Sequence, residues 1–483
     1  MIFNSLTYFI FLFAVVILYW SFSLKARLYL VFFSSLLFYG FWKVEFIPVM
    51  LISVISDYLL ALKISINTNK VIKKRLLLLS LVINLGILFY FKYLIFFAEN
   101  AIGFANLVGI SLDPLLLKII LPLGISFYTF QTISYTVDVY RGQILPEKNF
   151  ILYACYVTFF PQLIAGPVLR ASEVIYQFSK KSLFKFEHII IGCRRILYGL
   201  FLKVVIADNI APLVDSGFSM PIEAMGALDV WTLGFLFGFQ IYFDFSAYSH
   251  IAIGSARLLG IHFPENFNFP YLANSPKDFW RRWHISLSSW IRDYLYLPLA
   301  GIKAGNKSLG GLEKVTLNKN KNKPLFIAWA IMGLWHGASW TFVLWGLYHA
   351  IVIFVYRLLL PILKNFNQNL KVFFGIFVTL PIMMLAWIPF RAESISDTFS
   401  MWLKVLNPNS YGILGMQENT YLISAFLLFS IFISSTVKNK LLHLFDKDNR
   451  IILIYGEILL FSVMIPLIII FLRPVNQFIY FQF

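Results

Sequence analysis

The chain alternates long apolar runs with short polar stretches, and the runs have the lengths of membrane helices. Leu28 to Phe41 and Phe46 to Leu62 come first. Leu76 to Phe97, Leu115 to Ile133, Val372 to Phe390, Tyr421 to Ser434 and Ile451 to Leu472 follow. A helix needs roughly 20 apolar residues to cross a hydrocarbon core of about 30 Å. The pattern predicts an all-α polytopic membrane protein, a single integral-membrane domain over residues 1-483, with about ten to twelve membrane helices. The opening run carries no Lys or Arg ahead of it, and Lys25 and Arg27 come after. A secretory signal has the opposite order of charge, so this run is expected to remain a membrane helix with its N-terminus outside.

Two stretches break the pattern. Phe159-Phe160-Pro161-Gln162-Leu163-Ile164-Ala165-Gly166-Pro167 sets prolines and a glycine among apolar residues. Such backbone persists at membrane depth only where protein or a water-filled cavity shields it, so a re-entrant or broken segment beside a central funnel is expected. Leu325 to Tyr356 lies between two basic loops and is too long for one crossing. It predicts a hairpin whose arms meet around His336-Gly337-Ala338-Ser339.

The polar stretches set the orientation. Lys63 to Arg75, Lys180 to Arg195, Lys303 to Lys323, Arg357 to Lys371 and Lys438 to Arg450 are rich in Lys and Arg, which marks cytoplasmic loops. Arg391 to Thr420 is near charge balance and is expected outside as a loop. The last run then leaves the cytoplasm, and both termini are extracytoplasmic. Only 13% of residues are charged and 59% are hydrophobic, against about 25% charged in soluble domains. The net charge of +17 is spread over the loops and implies no nucleic-acid partner. Cys155 and Cys193 lie in or beside apolar segments without a partner at metal-ligand spacing, which argues against a zinc site or a disulfide framework.

Candidate chemistry starts with His336. Lys323, at the cytoplasmic surface, precedes it by 13 residues. At about 1.5 Å per helical residue the imidazole reaches about 20 Å in, near the bilayer midplane. An ionisable group there marks function, and an uncharged imidazole serves as a general base near neutral pH. Gly337 and Ala338 leave space beside the ring, as a tunnel requires. The competing reading is a hydrogen-bonded core histidine. The second candidate is the tail Phe478-Ile479-Tyr480-Phe481-Gln482-Phe483. A phenol has a pKa near 10, so its ester is an activated ester, and Tyr480 is a candidate acyl acceptor. An aromatic anchor at the membrane interface explains the same residues. The third is His284, in Asp278-Phe279-Trp280-Arg281-Arg282-Trp283-His284-Ile285-Ser286-Leu287, with Trp290, Arg292 and Asp293 following. The alternation of charges and aromatics predicts a helix at the cytoplasmic interface. Its arginines suit the phosphates of a nucleotide-bearing donor, and anchoring by Trp and Arg is the alternative. His349 is set aside because it lies off the helical face of His336. Asp138 and Asp244 are acids in apolar settings, read as structural and paired with a base such as Arg141 or Arg257.

These residues carry a resemblance. The chain resembles the membrane-bound O-acyltransferase superfamily, in its bacterial branch that O-acetylates exported polysaccharides. The match runs from about Leu121 to Phe390 and resumes at the tail. It is carried by Phe130-Gln131-Thr132-Ile133-Ser134-Tyr135, the Pro161 to Pro167 stretch, Phe239-Gln240-Ile241-Tyr242-Phe243-Asp244-Phe245-Ser246, Pro264-Glu265-Asn266-Phe267-Asn268, Phe279 to Ser288, Arg292-Asp293-Tyr294-Leu295-Tyr296 and Gly333-Leu334-Trp335-His336-Gly337-Ala338. His250 and Ala300-Gly301 depart from the usual pattern, an acid and Gly-Gly respectively. The resemblance implies a catalytic core over 121-390 and a last helix with an acyl-acceptor tail over 451-483. His336 and His284 fall on the catalytic motif histidines, and Tyr480 on the tyrosyl acyl carrier of an F-x-Y-x-x-F tail. Arg281, Arg282, Trp283, Arg292 and Trp335 would line the donor funnel.

Together these readings predict an enzyme of the bacterial cytoplasmic membrane that binds no cofactor and no metal. Acetyl-CoA would enter from the cytoplasm, His336 would assist attack by a hydroxyl, and Tyr480 would take the acetyl group outward. An extracytoplasmic partner O-acetyltransferase would deliver it to an exported or cell-envelope polysaccharide, with membrane lipids as surroundings. D-alanyl or other acyl transfer from a carrier protein is the alternative within the class. A non-enzymatic glycan exporter or scaffold is the alternative outside it, and such a protein would need coupling acids along a polar path.

Overall fold

The computed structural model describes residues 1–483 except 2, 114–117, 165, 181, 303–321, 364–366, 445–449, 474–477 and 480–483, with backbone alone for 368–374, 434–444 and 450–454. The described chain is helical throughout and contains no strand. Three helical stretches are long and apolar enough to cross a membrane: Val44–Ile66, Lys70–Leu107 and Trp340–Leu363. Leu6–Ser21, Gly375–Arg391, Glu418–Ile433 and Tyr455–Ile470 are shorter apolar helices. Ile10, Phe13, Leu459, Val463 and Ile470 stand exposed on such helices, as side chains facing lipid do.

The chain divides into two compact units interleaved in sequence. The first comprises Met1–Ile196, Ser249–Glu265 and Arg292–Thr316. Within it, Ile47–Ile66, Lys70–Leu88 and Ile125–Tyr140 pack together around a buried polar network. Asp57 accepts from the Ser80 hydroxyl at 2.5 Å and the Asn84 amide at 2.9 Å, and Thr132 donates to Asn84 Oδ1 at 3.0 Å. The run expected over Leu115 to Ile133 is displaced toward the C-terminus, because Pro122 and a left-handed Gly124 start the helix only at Ile125. Ser126, Thr129, Gln131, Thr132, Ser134, Thr136 and Asp138 on it are all buried, so it is an interior helix.

Gly124 also explains the expected break. A Cβ there would lie 2.2 Å from the Leu163 carbonyl oxygen, so only glycine lets the two backbones approach. Phe150–Thr158 ends at Phe159, a single short turn Phe160–Leu163 follows, and the stretch is buried. The Phe160 N–H freed by the break donates to Ser35 Oγ at 3.1 Å. Protein shields this backbone, as its position requires.

The second unit comprises Leu197–Tyr248, Asn266–Ile291 and Leu317–Phe483. Its hairpin is the one read from sequence. A helix Asn322–His336 ends at the histidine, residues 337–339 turn, and Trp340–Leu363 returns. The stretch expected as a loop after Arg391 instead contains the helix Ile395–Leu406, whose N-cap Ser394 accepts from the Asp397 N–H at 3.0 Å and which buries Thr398 and Met401. Its shortness and the charged and polar residues interspersed in it (Ser396, Asp397, Ser400, Lys404) hid it.

Candidate active site

The hairpin is tight because glycines face each other across it. A Cβ on Gly346 would stand 2.1 Å from the Trp329 carbonyl oxygen, and one on Gly333 would stand 2.2 Å from that of Phe342. Small residues let helix backbones touch, and the contact presents His336 beside the returning arm. The His336 ring is buried, 4.9 Å from Trp335, 4.9 Å from Trp345 and 5.3 Å from Phe390, centroid to centroid. The space expected beside Gly337 is filled by the Phe342 ring, whose atoms a Cβ there would meet at 2.1 Å. Gly337 therefore serves packing here.

Trp345 joins two histidines. Its ring is also 4.8 Å from His349, which sits 4.9 Å from Trp280 and 5.4 Å from Trp329. Neither His349 ring nitrogen has a hydrogen-bond partner among the described residues. Counting residues from His336 had set His349 aside. The count assumed one continuous helix, and the turn at 337–339 voids it.

His284 occupies a strained position. The expected interfacial helix is two helices, Pro276–Arg282 and Ile285–Trp290, with His284 between them in the left-handed region at φ 40°. Such backbone in a non-glycine residue costs about 1–3 kcal/mol and persists where neighbours impose it. Asn266 does so here. Its Oδ1 lies 3.1 Å from His284 Nδ1 and accepts from the Ser286 hydroxyl at 2.9 Å, and its carbonyl accepts from the Ile285 N–H at 2.9 Å. The kink turns Trp283 and His284 fully inward, which overturns the membrane-anchor reading for both.

An aromatic train links the two histidine motifs. Trp283 lies 4.8 Å from Trp387, Trp387 lies 5.6 Å from Phe390, and Phe390 borders His336. The arginines stand differently. Arg281 is exposed, whereas Arg282 is held by Asp278 at 2.9 Å. Arg292 belongs to the first unit, exposed and paired with Asp293 at 2.7 Å, a carboxylate that Arg170 also engages at 2.5 Å.

Two residues of the tail are described, and both are held by the fold. Tyr480 lies outside the described residues, but Phe478 and Ile479 just before it are buried. The Phe478 ring is 4.3 Å from Tyr248 and 5.4 Å from Phe245, and Phe245 is 4.6 Å from His284. The Ile479 N–H donates to Asp244 Oδ2 at 2.8 Å. Asp244 pairs with Lys203 at 2.7 Å, not with an arginine. Asp138 accepts from the Tyr294 hydroxyl at 2.8 Å and also feels the charges of Arg170 and Arg141, whereas Arg257 meets Glu187 at 3.7 Å. Sequence reading passed over Lys203, although a lone lysine in the apolar run Ile196 to Ala207 was a visible signal. His250, at the departure from the family pattern, lies against Arg195 at 2.7 Å, in the first unit. No cluster of three metal-ligating side chains occurs among the described residues.

Comparisons with known proteins bear on the family. The profile of the membrane-bound O-acyltransferase family, MBOAT, matches residues 28–390. The chain is 37% identical over 410 residues to the "Probable alginate O-acetylase AlgI" of Azotobacter vinelandii, covering 83% of this chain and 77% of that one. It is 36% identical over 410 residues to the "Peptidoglycan O-acetyltransferase" of Helicobacter pylori, covering 80% and 73%. To the "Teichoic acid D-alanyltransferase" of Bacillus subtilis it is 30% identical over 241 residues, covering 49% and 58%.

Proposed function

The chain belongs to the membrane-bound O-acyltransferase family and is an O-acyltransferase, and from that premise we propose that it carries acetyl groups across the bacterial cytoplasmic membrane for O-acetylation of an exported or cell-envelope polysaccharide. The observation that carries the proposal is the convergence in one aromatic cluster of three separate stretches: the buried hairpin histidine His336, the kinked His284 and the tail residues that precede Tyr480. Sequence separations of this size come together only by design of the fold.

Acetyl-CoA, as substrate, reaches His336 from the basic cytoplasmic face between membrane helices that exclude bulk water. The Tyr480 phenol oxygen attacks the thioester carbonyl. A carbon–oxygen bond forms and the carbon–sulfur bond breaks. His336 takes the phenolic proton and returns it to the leaving thiolate, so coenzyme A departs as the thiol. His284 sits beside the tail and, with Trp283 and Trp335, shapes the site, while Arg281 and Arg282 attract the donor phosphates. The acetyl-tyrosine passes its group to a sugar hydroxyl through an extracytoplasmic partner transferase, and the phenol regains its proton. The last transfer is downhill because phenolate is the better leaving group.

Acetyl is preferred over D-alanyl because the relatives named for O-acetylation match 80% and 83% of this chain, and the D-alanyltransferase 49%. The deciding experiment is mass spectrometry of the C-terminal peptide after incubation of the purified protein with acetyl-CoA. An acetyl group on Tyr480 that is absent in His336→Ala supports the scheme. Acetylated polysaccharide produced by a Tyr480→Phe protein at the wild-type rate refutes the carrier step.

A further inference from the structure

The most unusual electrostatic feature outside the two histidine motifs is a buried ion cluster. Lys203 lies in a π-helical turn, Phe201–Ala207, between the helices Phe186–Leu200 and Asp208–Phe218. Such turns insert one residue into a helix and occur often at functional sites. The side chain of Lys203 is 3% exposed, and its ammonium lies 2.7 Å from Asp244 Oδ1 and 2.9 Å from Asp208 Oδ1. One cation thus faces two carboxylates. Two carboxylates offer more acceptor oxygens than one ammonium occupies, and a buried acceptor needs a donor. The cluster calls for further donors.

The C-terminal tail supplies one. The Ile479 N–H donates to the second oxygen of Asp244 at 2.8 Å, across 235 residues of sequence. Phe478 packs at 4.3 Å against Tyr248, whose ring lies 5.9 Å from the Lys203 ammonium. The helix that precedes the tail, Arg450–Ile470, packs on the π-helical turn itself. Hydrogen bond, ring contact and helix contact therefore hold the tail to a single locus.

We propose that the Lys203–Asp244 pair is the dock of the C-terminal tail, a positioning device that presents the residue after Ile479 to the acyl-transfer centre. Lys203 orients Asp244 and stabilises it as an acceptor. Asp244 takes a backbone donor and so reads the position of the tail rather than its side chains. Tyr248 and Phe245 form the apolar seat for Phe478. The inference rests on the reading of Tyr480 as acyl carrier, and it adds the group that fixes where that carrier stands. Lys203 and Asp244 are thus positioning residues.

The test removes the donor and leaves the ion cluster whole. In Ile479→Pro the N–H is gone, and in Ile479→Ala it is kept, so the ratio of the two reads the hydrogen bond. Asp244→Asn and Lys203→Met attack the other side of the contact. Two measurements are made on the full-length protein in detergent. The first is acetylation of Tyr480 against hydrolysis of acetyl-CoA to free acetate, in which water replaces the phenol. The second is trimming of the C-terminus by carboxypeptidase, followed by mass. A hydrogen bond to a charged group contributes at least about tenfold. Ile479→Pro should therefore lose at least about tenfold in Tyr480 acetylation relative to Ile479→Ala, keep its hydrolysis, and be trimmed past residue 479 faster by a similar factor. Equal loss of acetylation and hydrolysis would show a general structural role and overturn the proposal. So would trimming and acetylation at the Ile479→Ala level. Should Asp244→Asn fail to fold, the proline and alanine pair decides alone. Tyr480→Phe separates the two ideas. If it leaves polysaccharide acetylation intact, the carrier reading fails, and trimming still judges the dock. If it abolishes acetylation while Ile479→Pro behaves as Ile479→Ala, the dock alone is wrong.

Discussion

Gly346→Ala is the sharpest test of how the hairpin positions His336. The new Cβ would lie 2.1 Å from the Trp329 carbonyl oxygen, 2.9 Å from its carbon and 3.3 Å from Gly333 Cα. All three are backbone atoms, so no side chain can rotate away, and the arms must separate by about 1 Å to restore an ordinary contact. Overpacking of this kind costs about 1–3 kcal/mol. Replacing glycine with alanine inside a helix returns about 0.8–1 kcal/mol. The net loss of stability is thus small, about 0–2 kcal/mol. Activity responds far more strongly. His336 lies one turn past Gly333 and packs on Trp345 at 4.9 Å, so the separation displaces it by a large part of that ångström. A misplacement of about 1 Å costs about a hundredfold in rate. The assay is acetyl transfer from labelled acetyl-CoA by the purified protein, with thermal unfolding measured on the same sample. Gly86→Ala is the control, because nothing lies within 4 Å of a Cβ there. It should gain about 0.5–1 kcal/mol in stability and retain its rate. Turnover by Gly346→Ala within about twofold of wild type would refute the argument that backbone contact at the hairpin sets the catalytic geometry.

Other consequences follow. His336→Ala should abolish acyl transfer while the protein still inserts and elutes as a folded species; transfer at the wild-type rate would remove His336 from the mechanism. His284→Ala should give a partial loss, seen mainly as weaker use of donor, and unchanged kinetics would leave the residue a purely structural role. Asn266→Ala removes the acceptor that holds the left-handed backbone of His284. It should lower stability by about 1–3 kcal/mol and reduce transfer, and a melting temperature identical to wild type would contradict that account. For topology, with the exposed Cys193 replaced by serine, a cysteine at the exposed Asn409 should label from outside intact cells. One at the exposed Thr68 should label only after permeabilisation, and the reverse pattern would invert the orientation and move Tyr480 to the cytoplasmic side.

Several features were legible along the chain because they are local. Apolar runs announced the helices Leu24–Gly40, Ile47–Ile66 and Arg450–Ile470. Pro161, Gly166 and Pro167 announced a broken backbone, and the length of Leu325 to Tyr356 announced the hairpin with His336 at its turn. Family motifs identified the acyltransferase. Residues in these cases act through their own helix or turn, so spacing alone carries the information.

The partners of the interior were not legible, because they are chosen across long stretches of sequence. Nothing near Asp244 in the chain selects Lys203 over Arg257, and nothing near Ile479 points to Asp244. His349 was lost to a helical count that the turn at 337–339 invalidates. For Trp283 and His284 a surface anchor stayed open beside the catalytic reading, since alternating charge and aromatic residues fit an interfacial helix equally well. Only the left-handed kink imposed by Asn266 turns them inward. Hydrophobic pattern decides that a segment is buried in lipid or protein. Which polar groups meet there is decided by the tertiary structure, because a buried charge or N–H must find its partner wherever packing places one.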